Sequence, residues 1–176
     1  HDDAIPKCHM VGNLSGCLYF PGASEQLPIL QQALTDIIAQ NDALRLRLHY
    51  DEAGRIVQST APVVPQTFPI LQLPVDYRPV LEQASQAPFQ MRGAPLYHFE
   101  RLILADGQIG FFFRYHHIIV DALTVSLLNR QIYQRFVALR EDPDLALELR
   151  PSFVEFLDRE AAYLRSEAFT DDQAFW

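Results

Sequence analysis

The sequence predicts an α+β fold, a sandwich of helices packed on a sheet, and three observations predict it. Short segments of apolar alternation are interspersed with longer segments of three- and four-residue apolar spacing, without the strict strand-helix rhythm of a doubly wound parallel sheet. One run, Phe111-Phe112-Phe113, is apolar in successive positions and reads as a strand buried on both faces, central in its sheet. Finally, 49% of the 176 residues are apolar, enough for one substantial core, so residues 1–176 are read as one unit.

The elements follow in order. Leu27, Leu30, Leu34, Ile37 and Ile38 predict an amphipathic helix over 24–40 with Ser24 near its N-cap. Leu44, Leu46 and Leu48 alternate with Arg45 and Arg47, which predicts a strand with leucines on one face and arginines on the other. Asp51-Glu52-Ala53-Gly54 reads as a hairpin turn into a second strand over 55–59. Recurrent prolines over 61–79 exclude a long helix and predict an extended connection with one short strand. Strands over 97–104 and 109–115 pair around Ala105-Asp106-Gly107. A helix over 123–139 carries Leu127, Leu128, Ile132 and Phe136 on one face and stops at Asp142-Pro143. Ser152 and Glu155 form a capping-box pattern, with Phe153, Phe156, Leu157 and Tyr163 or Leu164 as the buried stripe of the next helix; Thr170 caps a last one.

A net charge of −8 argues against a nucleic-acid or anionic-membrane partner, either of which requires clustered Lys and Arg. No apolar run reaches the roughly 20 residues that span a bilayer, and the first residues lack a signal-peptide pattern, so the expected compartment is the cytoplasm. Cys8 and Cys17 are too few for a disulfide framework and read as reduced thiols.

The candidate chemistry is His116-His117-Ile118-Ile119-Val120-Asp121-Ala122, set between the buried strand and the long helix. Strand ends hold reactive side chains rigidly at a sheet's edge. A metal site is a poor reading, because adjacent residues of an extended chain point to opposite faces and no third ligand cluster lies nearby. A covalent nucleophile is equally unsupported: there is no G-x-S-x-G elbow and no Cys beside the motif. Read without further context, both histidines are as well explained as packed, hydrogen-bonded core residues. His9, His49 and His98 have no supporting constellation and are read as structural or surface residues.

The stretch 116–122 resembles the H-H-x-x-x-D-G motif of nonribosomal peptide synthetase condensation domains and other chloramphenicol-acetyltransferase-like acyltransferases. The resemblance extends through Gln40 to Leu48, Gly54 to Gln58, Pro88-Phe89, Pro95-Leu96, and the ending Glu160, Tyr163-Leu164, Ser166, Asp172, Phe175-Trp176. It implies a chloramphenicol-acetyltransferase-like αβ sandwich of which this chain is the N-terminal of two lobes, with the C-terminal lobe absent. It implies amide formation between a donor acyl or peptidyl thioester and an acceptor aminoacyl thioester, each on the 4'-phosphopantetheine of a peptidyl carrier protein, beside an adenylation domain. No cofactor or metal of the domain's own is implied. By the same resemblance His117 is the catalytic histidine, His116 supports it, and Asp121 is structural and paired with a buried Arg45. Ala122 departs from the family's Gly, a residue that permits unusual torsions or a close backbone approach. The ending also resembles members that accept a starter acyl group. The lobe alone is expected not to condense substrates. Epimerization by the same motif, and a non-catalytic recruitment domain of the same fold, are the other readings.

Overall fold

The computed structural model describes residues 12–148 and 150–176; Cys8 and His9 lie outside the described residues. The central element is β6 (Ile109–His116), in which every residue from Ile109 to Tyr115 is buried. It lies between β1 (Asn13–Phe20) and β5 (Tyr97–Ile103), antiparallel to both, and β4 (Ile70–Gln72) joins the far side of β5 in parallel. The triple phenylalanine is therefore interior, as its continuous apolarity predicts. The strand β1 carries no clean alternation, and no element is predicted there. It forms by pairing residue for residue with β6, from Asn13 opposite His116 to Phe20 opposite Ile109.

The two faces of β6 feed separate cores. Ile109, Phe111, Phe113 and Tyr115 pack in the main one with α1 (Leu27–Gln40) and α4 (Ala122–Glu141), while Phe112 packs with Leu73, Leu102 and the apolar side of α3 (Arg78–Ser85). The helix α3 is not predicted. Prolines argue against helix interiors, but Pro79 sits in the first turn of α3, where its missing N–H has no intrahelical partner to lose.

Leu44 and Arg45 differ from expectation. They belong to a single helical turn, α2 (Asp42–Arg45), and the strand β2 begins only at Leu46. Over so few residues an apolar alternation also fits a turn that drops one leucine inward, and Leu44 is fully buried against the core. The strand β2 (Leu46–Tyr50) pairs with β3 (Ile56–Thr60) in a two-stranded sheet of its own, through a turn in which Gly54 has φ 75°.

On α4, Leu128, Ile132, Phe136 and Leu139 are buried as the spacing predicts, whereas Leu127 faces outward. An ion pair absent from the sequence expectations ties α4 to α1: Arg135 Nε donates to Asp36 at 2.6 Å, and Arg135 also donates to the Leu145 carbonyl at 2.7 Å. The Asp36 carboxylate also accepts from Gln32, so its burial is compensated by hydrogen bonds as well as by charge.

The largest correction concerns the C-terminal helices. In α5 (Phe153–Tyr163) the predicted buried stripe is exposed, with Phe153 at 58% and Phe156 at 53% of their full accessibility, and Leu157, Tyr163 and Leu164 also open. The periodicity is real, but no described residue covers it. The N-cap is Ser152, which accepts from Val154 N–H, but Glu155 does not complete a capping box. The last helix, α6 (Glu167–Phe175), is capped by Ser166; Thr170 lies inside it.

Asp42 seats the start of α5. Its carboxylate pairs with Arg45 and accepts from the Ser152 hydroxyl at 2.5 Å and the Phe153 N–H at 2.8 Å. Burial alone would raise its pKa, but the Ser152 and Phe153 bonds and the Arg45 charge outweigh burial and hold it below the usual carboxylate value. With the folded pKa below the unfolded one, the contribution is present above the unfolded value and is lost as pH falls through the folded one. Asp42→Ala is expected to destabilise the chain by on the order of 2 kcal/mol in urea unfolding at pH 7, with the difference from wild type shrinking as pH drops below about 4.

Candidate active site

The histidine motif begins where β6 runs out. The His116 N–H donates to the Leu96 carbonyl at 2.8 Å, and the His117 N–H donates to the Gly12 carbonyl at 2.5 Å. The Ile119 N–H then turns back onto the His116 carbonyl at 3.1 Å, closing a tight turn whose Ile119 and Val120 side chains are buried in the main core. The backbone of the pair is thus held on both sides, His116 by Leu96 and His117 by Gly12, while the His117 side chain is exposed. A rigid backbone carrying a solvent-facing imidazole suits a side chain that meets a reactant.

His116 is held differently. Its ring is half-buried and makes a T-shaped contact with Phe89, ring centres 6.0 Å apart. Its Nδ1 accepts from the Ile118 N–H at 3.1 Å, so the neutral ring carries its proton on Nε2. Burial, and to a smaller extent the neighbouring His117, push the His116 pKa below the ordinary histidine value. Gly12 lies against this ring: a β-carbon there would stand 2.9 Å from Nε2.

Asp121 does not pair with Arg45, contrary to what the resemblance implies. The Arg45 guanidinium is taken by Asp42, three residues away in the same helical turn, and by the Ala61 carbonyl at 2.9 Å. Asp121 faces solvent and is the N-cap of α4, accepting from the Thr124 N–H at 2.7 Å. Those bonds to Thr124 hold its carboxyl below the usual carboxylate range. The buried ion pair is therefore replaced by a helix cap. Ala122 is the first residue of α4, and no described non-glycine residue has positive φ, so this position does not require glycine's torsional freedom.

The other described histidines, His49 and His98, are engaged away from the motif. His49 contacts Ser59 at 2.9 Å and His98 contacts Glu100 at 3.1 Å. Cys17 is a free, half-buried thiol whose pKa burial raises. Among the described residues no group of three His, Cys, Asp or Glu side chains is placed to hold a metal ion, and no helix is long and apolar enough to cross a membrane. The contacts of Gly12, Phe89 and Leu96 with the histidine pair are not anticipated from the sequence. Phe89 and Leu96 stand in the Pro88-Phe89 and Pro95-Leu96 pairs, the one signal that marks them.

The sequence model of the condensation domain matches residues 11–176, almost the whole chain. The chain belongs to the condensation domain family. Among curated proteins it is 27% identical over 165 residues to tyrocidine synthase 3 of Brevibacillus parabrevis, covering 93% of this chain and 2% of that protein. It is 29% identical over 158 residues to enterobactin synthase component F of Escherichia coli (strain K12), covering 85% of this chain and 12% of that protein. Among solved structures, the starter condensation domain of rhizomide synthetase RzmA superposes with a TM-score of 0.75 at 25% identity, covering 94% of this chain and 41% of that one. This condensation-domain chain therefore spans well under half of each of these proteins. Its mixed α and β architecture is the chloramphenicol-acetyltransferase-like fold of the family.

The Asp121 cap can be tested without turnover. Asp121→Ala is expected to lower the melting temperature by roughly 2 to 4 °C, whereas Asp121→Ser, which keeps a capping oxygen, stays within about 1 °C of wild type. Equal losses in both variants would exclude the cap as the source.

Proposed function

We propose that this chain is the N-terminal lobe of a condensation domain that joins a carrier-bound acyl or peptidyl thioester to the α-amine of a carrier-bound aminoacyl thioester. The observation that carries the reading is the exposed His117 side chain on a backbone pinned to Gly12, next to a His116 backbone pinned to Leu96, within a chain matched along nearly its whole length by the family. Condensation domains are amide-forming acyltransferases that work with carrier-protein and adenylation domains.

The chemistry asks little of the residue. A thioester is already activated, and an α-amine with a pKa near 7.7 to 8 is roughly one-tenth neutral at pH 7, so supplying the free amine costs about 1 kcal/mol. Held in position, the amine attacks the acyl carbon, and the tetrahedral species loses a proton from nitrogen and expels the thiolate. In this reading His117 hydrogen-bonds the attacking nitrogen or takes that proton once the adduct has made it acidic. The pantetheine arms of the donor and acceptor carriers present the two thioesters, and a second lobe completes the groove in which they meet. The uncovered stripe of α5 supports a missing packing partner, as does the 41% coverage of the rhizomide domain. The likeness to that starter domain favours a starter acyl group as donor.

The test uses the intact parent protein with loaded donor and acceptor carriers, as wild type and as His117→Ala. Amide product is expected from wild type and a loss of about a hundredfold or more from the variant. The melting temperature of the same variant in the 176-residue chain should change by no more than about 1 °C, because an exposed side chain contributes little to stability. Exchange of the α-proton without amide formation would instead identify epimerization, and no turnover from either form a recruitment role.

A further inference from the structure

Phe89 lies far upstream of the motif in sequence, yet its ring meets the His116 imidazole edge to face at 77°. The same phenylalanine is fixed from the other direction. The Arg114 guanidinium stands over its ring at 4.7 Å, donates to the Ala84 carbonyl at 2.5 Å, and is attracted by the nearby Glu100 carboxylate. Arg114 is two residues before His116 on β6, so both side chains project to the same side of the sheet and meet the same ring.

We infer that Phe89, pinned by Arg114, is a positioning residue that sets the orientation of the His116 imidazole and, through it, the turn that presents His117. The effect on turnover rests on the proposed amide-forming role of His117; the effect on ring orientation does not. An imidazole rotated by half a turn about its Cβ–Cγ bond occupies nearly the same volume, so close packing alone does not select between the two orientations. The Ile118 N–H selects, because only one places Nδ1 where it can accept that bond. The bond survives only if the plane of the ring is held. Phe89 packs against it edge to face, and the bare backbone of Gly12 lies against it where any β-carbon would press on Nε2. Once the ring is fixed, the 116–119 turn is closed by a side-chain bond as well as by its backbone bond. A slack ring would leave Ile118 N–H unpaired and let His117 wander relative to its reactant.

The test reads the ring directly. In the 176-residue chain labelled with 15N at histidine, long-range proton-nitrogen correlation at neutral pH is expected to show His116 as a single tautomer with bare Nδ1 and protonated Nε2. Phe89→Leu, which fills space without an aromatic face, should give a mixture of both tautomers, and Phe89→Tyr should restore the single form. Should Phe89→Leu fail to fold, Gly12→Ala is the second probe, expected to displace the ring and mix the tautomers. In the parent protein, Phe89→Leu should lower kcat by about tenfold with KM changed less than about twofold. A wild-type ring that already samples both forms, or a single tautomer that persists in Phe89→Leu or in a folded Gly12→Ala, overturns the inference. A parent protein that forms no amide, alongside the expected tautomer pattern in the chain, sinks the condensation reading and supports the positioning.

Discussion

The structure depends on the double-sided burial of β6. Its inner residues meet α1 and α4 and its outer ones meet α3, so the strand has no freedom to slide: a one-residue slip would move Phe111 and Phe113 out of the main core. Both neighbours are antiparallel to it, β5 in register as far as Tyr115 and β1 as far as His116, which carries that rigidity to the strand end. The turn beyond inherits its position from the ladder. Two carbonyls supplied by Gly12 and Leu96, on either side of the strand end, continue the hydrogen bonding past the point where regular sheet stops.

Order elsewhere is polar as well as apolar. Two carboxylates on or just after α1 fasten the C-terminal third of the chain: Asp36 receives Arg135 of α4, and Asp42 receives Ser152 and the start of α5. Each is shielded from water and each is matched by an arginine, which keeps the desolvation cost from being uncompensated. The helix α5 rests on the weaker of these arrangements, since its own apolar side is uncovered and its seat is one carboxylate.

What the sequence revealed followed the physics of each segment. The strands β5 and β6 and the helices α1 and α4 were legible because burial on a face leaves a period in the residues. The strand β1 was not, because Gly16 and Ser15 interrupt its apolar run and its structure is imposed by β6. The turn α2 is not legible, because four residues are too few to distinguish the two periods. For α5 the sequence carries the period but not the burial, since periodicity reports which face is apolar and says nothing about what lies against it. At the site, the motif itself was legible as a local string, whereas the contacts of Phe89 and Gly12 with it arise from chain crossings that no local pattern encodes. The Asp121 to Arg45 pairing failed for a related reason: Asp42 sits one helical turn from Arg45 and reaches it first.

The different settings of the adjacent histidines bear on how such a chain diverges over evolutionary time. One imidazole is woven into the packing and the hydrogen bonding of the turn; the other projects into solvent and contributes almost nothing to folding. If His117 serves the proposed reaction, a lineage released from selection for that reaction can lose it while His116 is retained by the demands of the scaffold. Sequence drift that preserves His116 and erases His117 would mark descendants that kept the architecture and gave up the reaction.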